Sequence, residues 1–236
     1  MADNMLRRER QKQETRAKIV EAATQLLLEE GTHGFSMRKL AARIGYSATA
    51  IYFHFPDKEA LLGEIVDRRF MAFRKAFERI GRENDPMLRL MKMGIAFVEF
   101  AMEHPDSYRF MFMNTSLKVL PKAGLIERGN PAQDCYAYLR ATVEEGIVAG
   151  RFRKEFDDSD ELAQLFFSGV HGLVALHIAR GEDPWVDWRP IRPTARKMVE
   201  SLIRGLSRDG ETLTVPTGTV FVQTATVEGE PETNHV

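Results

Sequence analysis

The chain has 236 residues, of which 44% are hydrophobic and 28% charged, and its formal net charge is −1. This composition is typical of a globular protein with a sizeable core, and the length exceeds one small domain, so we expect two domains. The single cysteine, Cys135, excludes a disulfide framework. A polar start, and the lack of an apolar run of about 18 residues, predict neither a secretory signal nor a membrane span. We therefore expect a cytoplasmic protein.

The first predicted helix follows a basic start. Residues 1–58 carry ten Lys or Arg against seven Asp or Glu, although the whole chain is nearly neutral. A basic arm over residues 1–14 would suit contact with nucleic-acid phosphates, and a solvated tail is the alternative. Gly31 is expected to end the helix that follows. Apolar residues at helical spacing indicate that helix, and they are Ile19, Ala22, Ala23, Leu26 and Leu27.

Two short helices are predicted next, and one glycine separates them. Ser36 can cap the first helix, because its side-chain oxygen can accept from a free backbone N–H. Gly45 ends that helix, since a tight turn needs a positive φ that glycine adopts without steric cost. Ser47 can cap the second helix. The apolar stripe of the first helix comprises Met37, Leu40, Ala41 and Ile44.

The spacing of these two helices is typical of a helix-turn-helix. Ala41, Gly45 and Ile51 follow the pattern Ala-x3-Gly-x5-Ile. Helices that cross at a steep angle need a small residue at their contact, and the second helix must bury one branched side chain against the first. A bare helical hairpin is the alternative, but the three positions together favour DNA binding.

The residues from Ile51 to Leu62 read IYFHFPDKEALL. This segment resembles the one that marks the TetR (tetracycline repressor) family of transcription regulators, and the resemblance extends upstream to Thr15. Phe53 stands where many members of the family have tyrosine. The resemblance implies a regulator, expected to be a repressor, that binds DNA through this region and small effectors through a helical second domain.

The resemblance and the side-chain chemistry together predict roles at the DNA. The start of the second short helix would enter the major groove, where Thr49 is the polar group placed to contact base edges. Tyr52 and Lys58 are expected to hold phosphate oxygens, as a helix start also does. Solvated surface is the alternative for the charged residues of the preceding helix. The residues predicted to bind DNA are Arg38, Lys39, Ser47, Ala48, Thr49, Tyr52, His54 and Lys58.

Longer helical patterns fill the rest of the chain, and no strand alternation competes with them before the tail. Residues 114–130 contain prolines and glycines and are expected to form a loop. Residues 207–236 are expected to be a flexible tail, with a hairpin around Pro216 as the alternative. The further helices are predicted over residues 58–79, 88–104, 105–113, 131–150, 162–174 and 194–206.

A candidate ligand cavity lies in the second domain. Six methionines fall between Met87 and Met113, interleaved with phenylalanines. Thioether side chains adapt to apolar ligands of varied shape, although such a stripe also suits an ordinary core. The resemblance implies that effectors bind in this domain. The residues predicted to bind an effector are Met91, Ile95, Tyr108, Met111, Tyr136, Phe167 and His171.

Part of the second domain also resembles one subgroup of the family, whose companion domain carries a Trp-His-Gly signature. Val170 replaces the tryptophan of that signature. The resemblance to this subgroup rests on His104-Pro105, Tyr108-Arg109, Gly146, Gly150 and Val170-His171-Gly172.

A homodimer is predicted from small residues and from the demands of DNA recognition. Ser168, Gly169 and Gly172 would let another helix approach closely, as in a four-helix interface between subunits. An internal helix crossing is the alternative. The dimer is favoured because one head reads few base pairs, whereas two-fold symmetry would place two heads about 34–36 Å apart on successive major grooves.

These observations predict an all-α fold, with an N-terminal three-helix helix-turn-helix domain and a C-terminal helical domain for ligand binding and dimerisation. The expected parts are a basic arm (1–14), the DNA-binding domain (15–62), the effector and dimerisation domain (63–207) and a flexible tail (208–236). The predicted function is sequence-specific transcription regulation, by a repressor that a small, largely apolar effector releases from a palindromic operator.

Two alternatives to a DNA-binding regulator differ in class. The first is a helical protein that binds a small ligand but no DNA. The second is an enzyme, which the sequence supports less. Cys135 has no histidine near it in the sequence, and the six histidines lack metal-ligand spacing. We therefore predict no catalytic residue, no metal and no cofactor.

Overall fold

The computed structural model describes residues 2–78, 80, 83–113 and 124–208. Over these ranges the chain is helical, and its one β-bridge pairs Phe152 with Ser207. The predicted all-α fold is confirmed. A π-helix, Arg109–Met113, directly follows α6. The α-helices are α1 (Ala2–Gly34), α2 (Met37–Arg43), α3 (Ala48–His54), α4 (Lys58–Glu78), α5 (Pro86–Glu103), α6 (Pro105–Tyr108), α7 (Cys135–Val148), α8 (Ser159–Arg180) and α9 (Ile191–Leu206).

The chain divides into two compact units. The first unit contains the described residues up to Arg69, and the second contains Phe70–Met113 together with the described residues from Ile126 on. The division falls within α4, so this helix contributes its first part to one unit and its last part to the other. The boundary predicted from sequence, between residues 62 and 63, lies earlier in the same helix.

α1 supplies one wall of the core of the first unit. Ile19 and Ala23 have no exposed surface, and Leu26 is 3% exposed. The region expected to be an arm continues α1 as helix, and its side chains are exposed from residue 4 to residue 14. At Gly31 the φ angle is 67°, which interrupts the helical backbone before one more turn ends at Gly34. Gly31 therefore breaks the helix where the sequence predicted its end.

α2 and α3 form the predicted helix-turn-helix. The Ser36 hydroxyl accepts from Lys39 N at 3.2 Å, and the Ser47 hydroxyl accepts from Ala50 N at 3.1 Å. Each serine thus satisfies one backbone N–H that has no partner within its helix. Gly45 has φ 69° in the turn between them, as expected. Ile51 is fully buried in the core of this unit.

α5 is the central helix of the second unit, and it packs against α7, α8 and α9. Its start is fixed by Asp85, whose carboxylate accepts from the backbone N–H of Met87 at 2.8 Å and of Leu88 at 3.2 Å. Most of the helix is buried on all sides, including Gly94 and Glu99. The buried Glu99 carboxylate accepts from Arg192 Nε at 2.8 Å, which ties α5 to α9.

The predicted helix bounds differ from the observed ones at several ends. The helix predicted over 131–150 is shorter, from Cys135 to Val148, because Asp134 caps its start with hydrogen bonds to Tyr136 N and Ala137 N. The predicted helix 105–113 is one α-helical turn followed by the π-helix. Most of the predicted loop 114–130 and all but the first residue of the predicted tail 208–236 lie outside the described residues.

α8 is the most hydropathic long helix in the described ranges. Its mean hydropathy is 1.5, which is high enough for a membrane span by length and composition, yet only 28% of that window is buried in this chain. The sequence had not indicated this, since polar residues interrupt the apolar run. One such helix is weak evidence for a membrane span. The observation that matters is its exposed apolar surface, which includes Leu165 and Leu176.

A substitution at Gly146 of α7 would test how closely the second unit is packed. A Cβ atom at Gly146 would lie 2.5 Å from Cε2 of the buried Phe152 ring. We expect Gly146→Ala to lower the free energy of unfolding by about 1–2 kcal/mol, because overpacking outweighs the gain in helix propensity. The control is Gly205→Ala in α9, where a Cβ meets nothing within 4 Å. Chemical denaturation should find the control at least as stable as the parent, and equal stability of both variants would contradict this packing.

Candidate functional site

The exposed side of α3 is the candidate surface for DNA. Thr49 is exposed, Tyr52 is 48% exposed and Phe53 is 75% exposed. Ile51 and Phe55 point into the core of the first unit and have no exposed surface. The side chains predicted to face DNA and those predicted to face the protein are therefore on opposite sides of this helix.

Two of the residues predicted at the start of α3 are less available. The Ser47 hydroxyl already accepts the capping hydrogen bond from Ala50 N. Its remaining donor capacity is still free for a phosphate or base. Ala48 is half-buried and offers only its methyl group. Thr49 is thus the main polar side chain that this helix start presents.

The three predicted basic residues differ in their partners. Arg38 is exposed and makes no hydrogen bond or ion pair within the described part of the chain. Lys39 forms an ion pair with Glu30. Lys58 donates from Nζ to the carbonyl oxygens of Thr32 at 3.0 Å and Phe35 at 3.2 Å. Lys58 therefore connects the start of α4 to the end of α1 and to Phe35. Of the three basic residues, Arg38 is the one whose side chain has no hydrogen bond or ion pair in the described part of the chain.

His54 lies at the end of α3, beside two cations. Burial lowers the pKa of the His54 imidazole, and the positive charges of Arg16 and Lys12 lower it further. Its Nδ1 atom is buried without a hydrogen-bond partner in the described residues. His54 is therefore neutral at pH 7, so its imidazole is a hydrogen-bonding group and not a cation.

A buried carboxylate, Glu64, organises the first unit. It is 2% exposed, and two arginines reach it, Arg16 with Nε 2.7 Å from Oε2 and Arg68 with Nη2 2.7 Å from Oε1. Arg16 also donates from Nη1 to the carbonyl oxygen of His54 at 2.5 Å. Its guanidinium carbon lies 4.0 Å from the centre of the Phe55 ring. Arg16 therefore joins α1, the end of α3 and α4.

The second unit contains an apolar cavity of about 250 Å³. α4, α5, α7 and α8 all contribute to its wall. Tyr136 is 39% exposed and lines the cavity as well, so it stands at the border between the cavity and the solvent. The lining residues are Phe70, Phe73, Phe77, Met93, Gly94, Phe97, Phe112, Cys135, Tyr136, Leu139, Phe166, Phe167 and Val170.

Two of the seven predicted effector-binding residues, Tyr136 and Phe167, line this cavity. Met91 and Ile95 do not, because Met93, Gly94 and Phe97 form the face of α5 that borders it. Met91 is fully buried and Ile95 is 6% exposed, so both belong to the core around α5. The cavity lining therefore does not include these two residues, and their role in effector binding stays a prediction.

The remaining three predicted residues lie behind the lining. Met111 packs against the core as a partly buried side chain. The Tyr108 hydroxyl lies 2.8 Å from His171 Nδ1, and the His171 ring stacks on Phe167 with ring centres 5.4 Å apart. Burial lowers the pKa of the His171 imidazole and raises that of the Tyr108 phenol, so this pair is neutral at pH 7. Tyr108 and His171 thus support a lining residue without lining the cavity themselves.

Two protein-family models match the chain over most of its described length. The model for bacterial regulatory proteins of the tetR family matches residues 19–65, which contain the helix-turn-helix. The model for the tetracyclin repressor-like C-terminal domain matches residues 90–202, which contain most of the cavity wall. The chain belongs to the TetR family of bacterial transcription regulators. The Trp-His-Gly subgroup stays a prediction.

Individual relatives of this TetR-family chain agree with that assignment. The class A tetracycline repressor from transposon 1721 of Escherichia coli is 43% identical over 49 residues, which are 21% of this chain and 23% of the relative. The regulator UidR of Escherichia coli K12 is 34% identical over 84 residues, which are 34% of this chain and 41% of the relative. The chain therefore matches less than half the length of these curated relatives.

A solved structure extends the similarity over both units of the TetR-family chain. A protein of unknown function from Rhodococcus sp. RHA1 superposes with a TM-score of 0.63 and 25% sequence identity. The superposition covers 82% of this chain and 95% of that one. The shared architecture thus includes the second unit.

Sequence reasoning missed two parts of the site in this TetR-family chain. Phe70, Phe73 and Phe77 lie in the helix predicted over residues 58–79 and were not among the residues predicted to bind an effector, but all three line the cavity. Arg16 was counted only among the basic residues near the N-terminus. The spacing of residues indicates which of them share a helix face. It does not indicate that Arg16 pairs with Glu64, because these two residues are far apart in the sequence.

The Arg16–Glu64 contact gives a test of the first unit. We expect Arg16→Met to lower the free energy of unfolding by about 2–4 kcal/mol, because it leaves a buried carboxylate with one cation fewer. The control is Arg43→Met, which removes an arginine paired with Glu29 on the exposed surface. That pair is screened by water, so its loss should change stability much less. Equal losses in thermal or chemical denaturation would show that burial of Glu64 does not matter.

Proposed function

We propose that this TetR-family protein is a sequence-specific DNA-binding transcription regulator, a repressor that a small, largely apolar effector releases from a palindromic operator. The observation that carries the proposal is the capped helix-turn-helix, whose α3 presents Thr49 and Tyr52 to solvent. The proposed parts are an N-terminal basic segment (1–14), a DNA-binding domain (15–62), an effector and dimerisation domain (63–207) and a tail (208–236). The proposed site of action is the cytoplasm.

The proposed DNA contacts divide by chemistry. Thr49 reads base edges, with the Ala48 methyl beside it for apolar contact with thymine. Ser47, Tyr52 and His54 reach the DNA backbone as uncharged groups, which fix the position of the helix in the groove. Arg38, Lys39 and Lys58 add positive charge, and Arg38 is the strongest candidate because its charge has no partner in the described chain.

The division of roles predicts different effects of substitutions on DNA binding. We expect Arg38→Ala to weaken binding to all sequences alike and to reduce the log–log salt slope of a dimer by about 2, since each phosphate contact contributes about 0.9. Thr49→Ala should instead change the preferred base at one position of each half-site. Arg43→Ala is the matched control, because Glu29 already engages that side chain. Binding titrations over several salt concentrations measure all three.

Contrary outcomes of these titrations are distinct. An unchanged salt slope in Arg38→Ala would remove this residue from the DNA contact. If Thr49→Ala weakened all sequences equally, Thr49 would not read bases. If the parent bound no duplex at low ionic strength, the alternative of a ligand-binding protein without a DNA function would be supported. Selection of bound fragments from random DNA identifies the operator for these measurements.

The proposed homodimer forms through α8. A stripe along this helix consists of small or apolar residues, of which Leu165, Ser168, Leu176 and Ala179 are exposed and Gly172 is half-buried. A Cβ at Gly172 meets nothing within 4 Å, so another helix has room to approach there. The low burial of such an apolar helix supports a second copy of the chain as its cover.

A charge on this stripe tests the dimer. We expect Leu176→Arg to shift the protein to monomers and to weaken operator binding, because a buried unpaired charge is costly at an interface. The control is Val148→Arg at the end of α7, where the parent side chain is 81% exposed. Sedimentation of the parent and both variants measures the assembly. A dimeric Leu176→Arg variant would exclude this surface as the interface.

The proposed release of DNA depends on α4. This helix contains Lys58 and Glu64 in the first unit and Phe70, Phe73 and Phe77 in the cavity wall of the second. A ligand that prefers one position of these phenylalanines would bias the position of the whole helix. DNA and effector would then compete through their different affinities for two arrangements of the dimer. An effector that binds tightly without changing operator affinity would refute this coupling.

A further inference from the structure

Among the residues that the structure describes, the cavity wall has no group that could balance a charge on a ligand. None of its lining residues is Asp, Glu, Lys, Arg or His, and seven of them are phenylalanines. The Cys135 thiol donates to the carbonyl oxygen of Phe70 at 3.7 Å, and burial raises its pKa to about 12, so it is uncharged at pH 7. A charged ligand would lose its hydration without gaining a partner.

The volume of the cavity is suited to a small ring system. An apolar cavity of about 150 Å³ stays free of water and binds one benzene ring. This cavity has about 250 Å³. The difference is suited to a second ring fused to the first. Flat rings also suit the wall, because aromatic rings interact favourably edge to face and in offset stacks.

Among the described residues that line the cavity, Tyr136 alone has a hydroxyl that can give a ligand a directed hydrogen bond. Its hydroxyl has partners only at the limit of a hydrogen bond, Asp160 Oδ1 at 3.4 Å and Gln164 Nε2 at 3.4 Å. Such long contacts are weak, so the hydroxyl can turn to a better acceptor at small cost. Because Tyr136 borders the solvent, the polar end of a ligand would point outward and its rings inward.

We propose that the cavity binds an uncharged, planar, two-ring aromatic compound that carries one oxygen or nitrogen acceptor, to which the Tyr136 hydroxyl donates a hydrogen bond. The proposal rests on the effector-binding function proposed above and names the chemical class that the same site selects. The fused rings occupy the space between the phenylalanines of α4, α5 and α8. The single acceptor sets their orientation.

Calorimetric titration of the purified full chain without DNA tests the ligand class. The probes are 2-naphthol, naphthalene, 2-naphthoate and phenol. We expect one site per chain for 2-naphthol, with 2-naphthoate and phenol each weaker by at least about tenfold, because one brings an unpaired charge and the other leaves half the cavity empty. Binding of 2-naphthoate as tight as that of 2-naphthol, or no binding by any two-ring probe, overturns the proposal.

Two variants locate the binding in this cavity. Tyr136→Phe should weaken 2-naphthol by about three- to tenfold and leave naphthalene unchanged, since only the first probe loses a hydrogen bond. Equal weakening of both probes would overturn the role of the hydroxyl. Leu139→Trp should fill the cavity and weaken both probes, with circular dichroism confirming the helical fold. Unchanged binding by a folded Leu139→Trp variant would place the probes elsewhere and overturn the site.

Operator release, measured separately, distinguishes this proposal from the proposed function. If 2-naphthol binds as described but never changes operator affinity, the ligand class stands and the regulatory role fails. If only charged compounds release the operator, the ligand class fails and the regulatory role stands. If 2-naphthol releases the operator from the parent protein but not from the Tyr136→Phe variant at the same concentration, the ligand class and the regulatory role are both supported.

Discussion

The first unit depends on a carboxylate that has almost no access to water. Glu64 would be strongly destabilising in that position without its arginines, because an uncompensated buried charge loses its hydration and gains nothing in return. Arg16 compensates it and also holds the carbonyl oxygen at the end of α3. The same side chain therefore balances the charge of the Glu64 carboxylate in α4 and holds the end of α3, the helix that presents Thr49. In this family member α3 is therefore connected to α4 through the contacts of Arg16 as well as through the loop between the two helices.

Contacts along the whole length of α4 make this helix the central element of the proposed switch. At the start of the helix Lys58 donates hydrogen bonds to two carbonyl oxygens, and further along Glu64 accepts a hydrogen bond from Arg16. Phe70, Phe73 and Phe77 then contribute to the cavity wall. Each contact is local to its own unit, but the helix is common to both. In the proposed switch, a ligand that displaced the phenylalanines would act on a helix whose other end is held by contacts with α1 and, through Arg16, with α3.

The sequence predicted local features well and side-chain partners poorly. Ser36, Ser47 and Gly45 were assigned correctly, because capping and turn chemistry involve neighbours within four residues. Met91 and Ile95 of α5 were predicted to bind an effector but lie outside the cavity lining. A helix buried on all sides has apolar residues around its whole circumference, so its periodicity does not indicate which face borders a cavity. The partners of Arg16 and Lys58 escaped prediction because they come together only when distant segments pack.

The π-helix between Arg109 and Met113 makes chain length a determinant of the cavity. A π-helix closes each hydrogen-bonded turn with one residue more than an α-helix does, so a one-residue deletion would convert it into regular α-helix. Each residue of an α-helix advances about 100° around the axis. Phe112, which now lies 5.5 Å from Phe97 and 6.0 Å from Phe167 between ring centres, would then rotate out of the wall. An insertion or deletion here would therefore change the shape of the cavity even if every lining residue kept its identity.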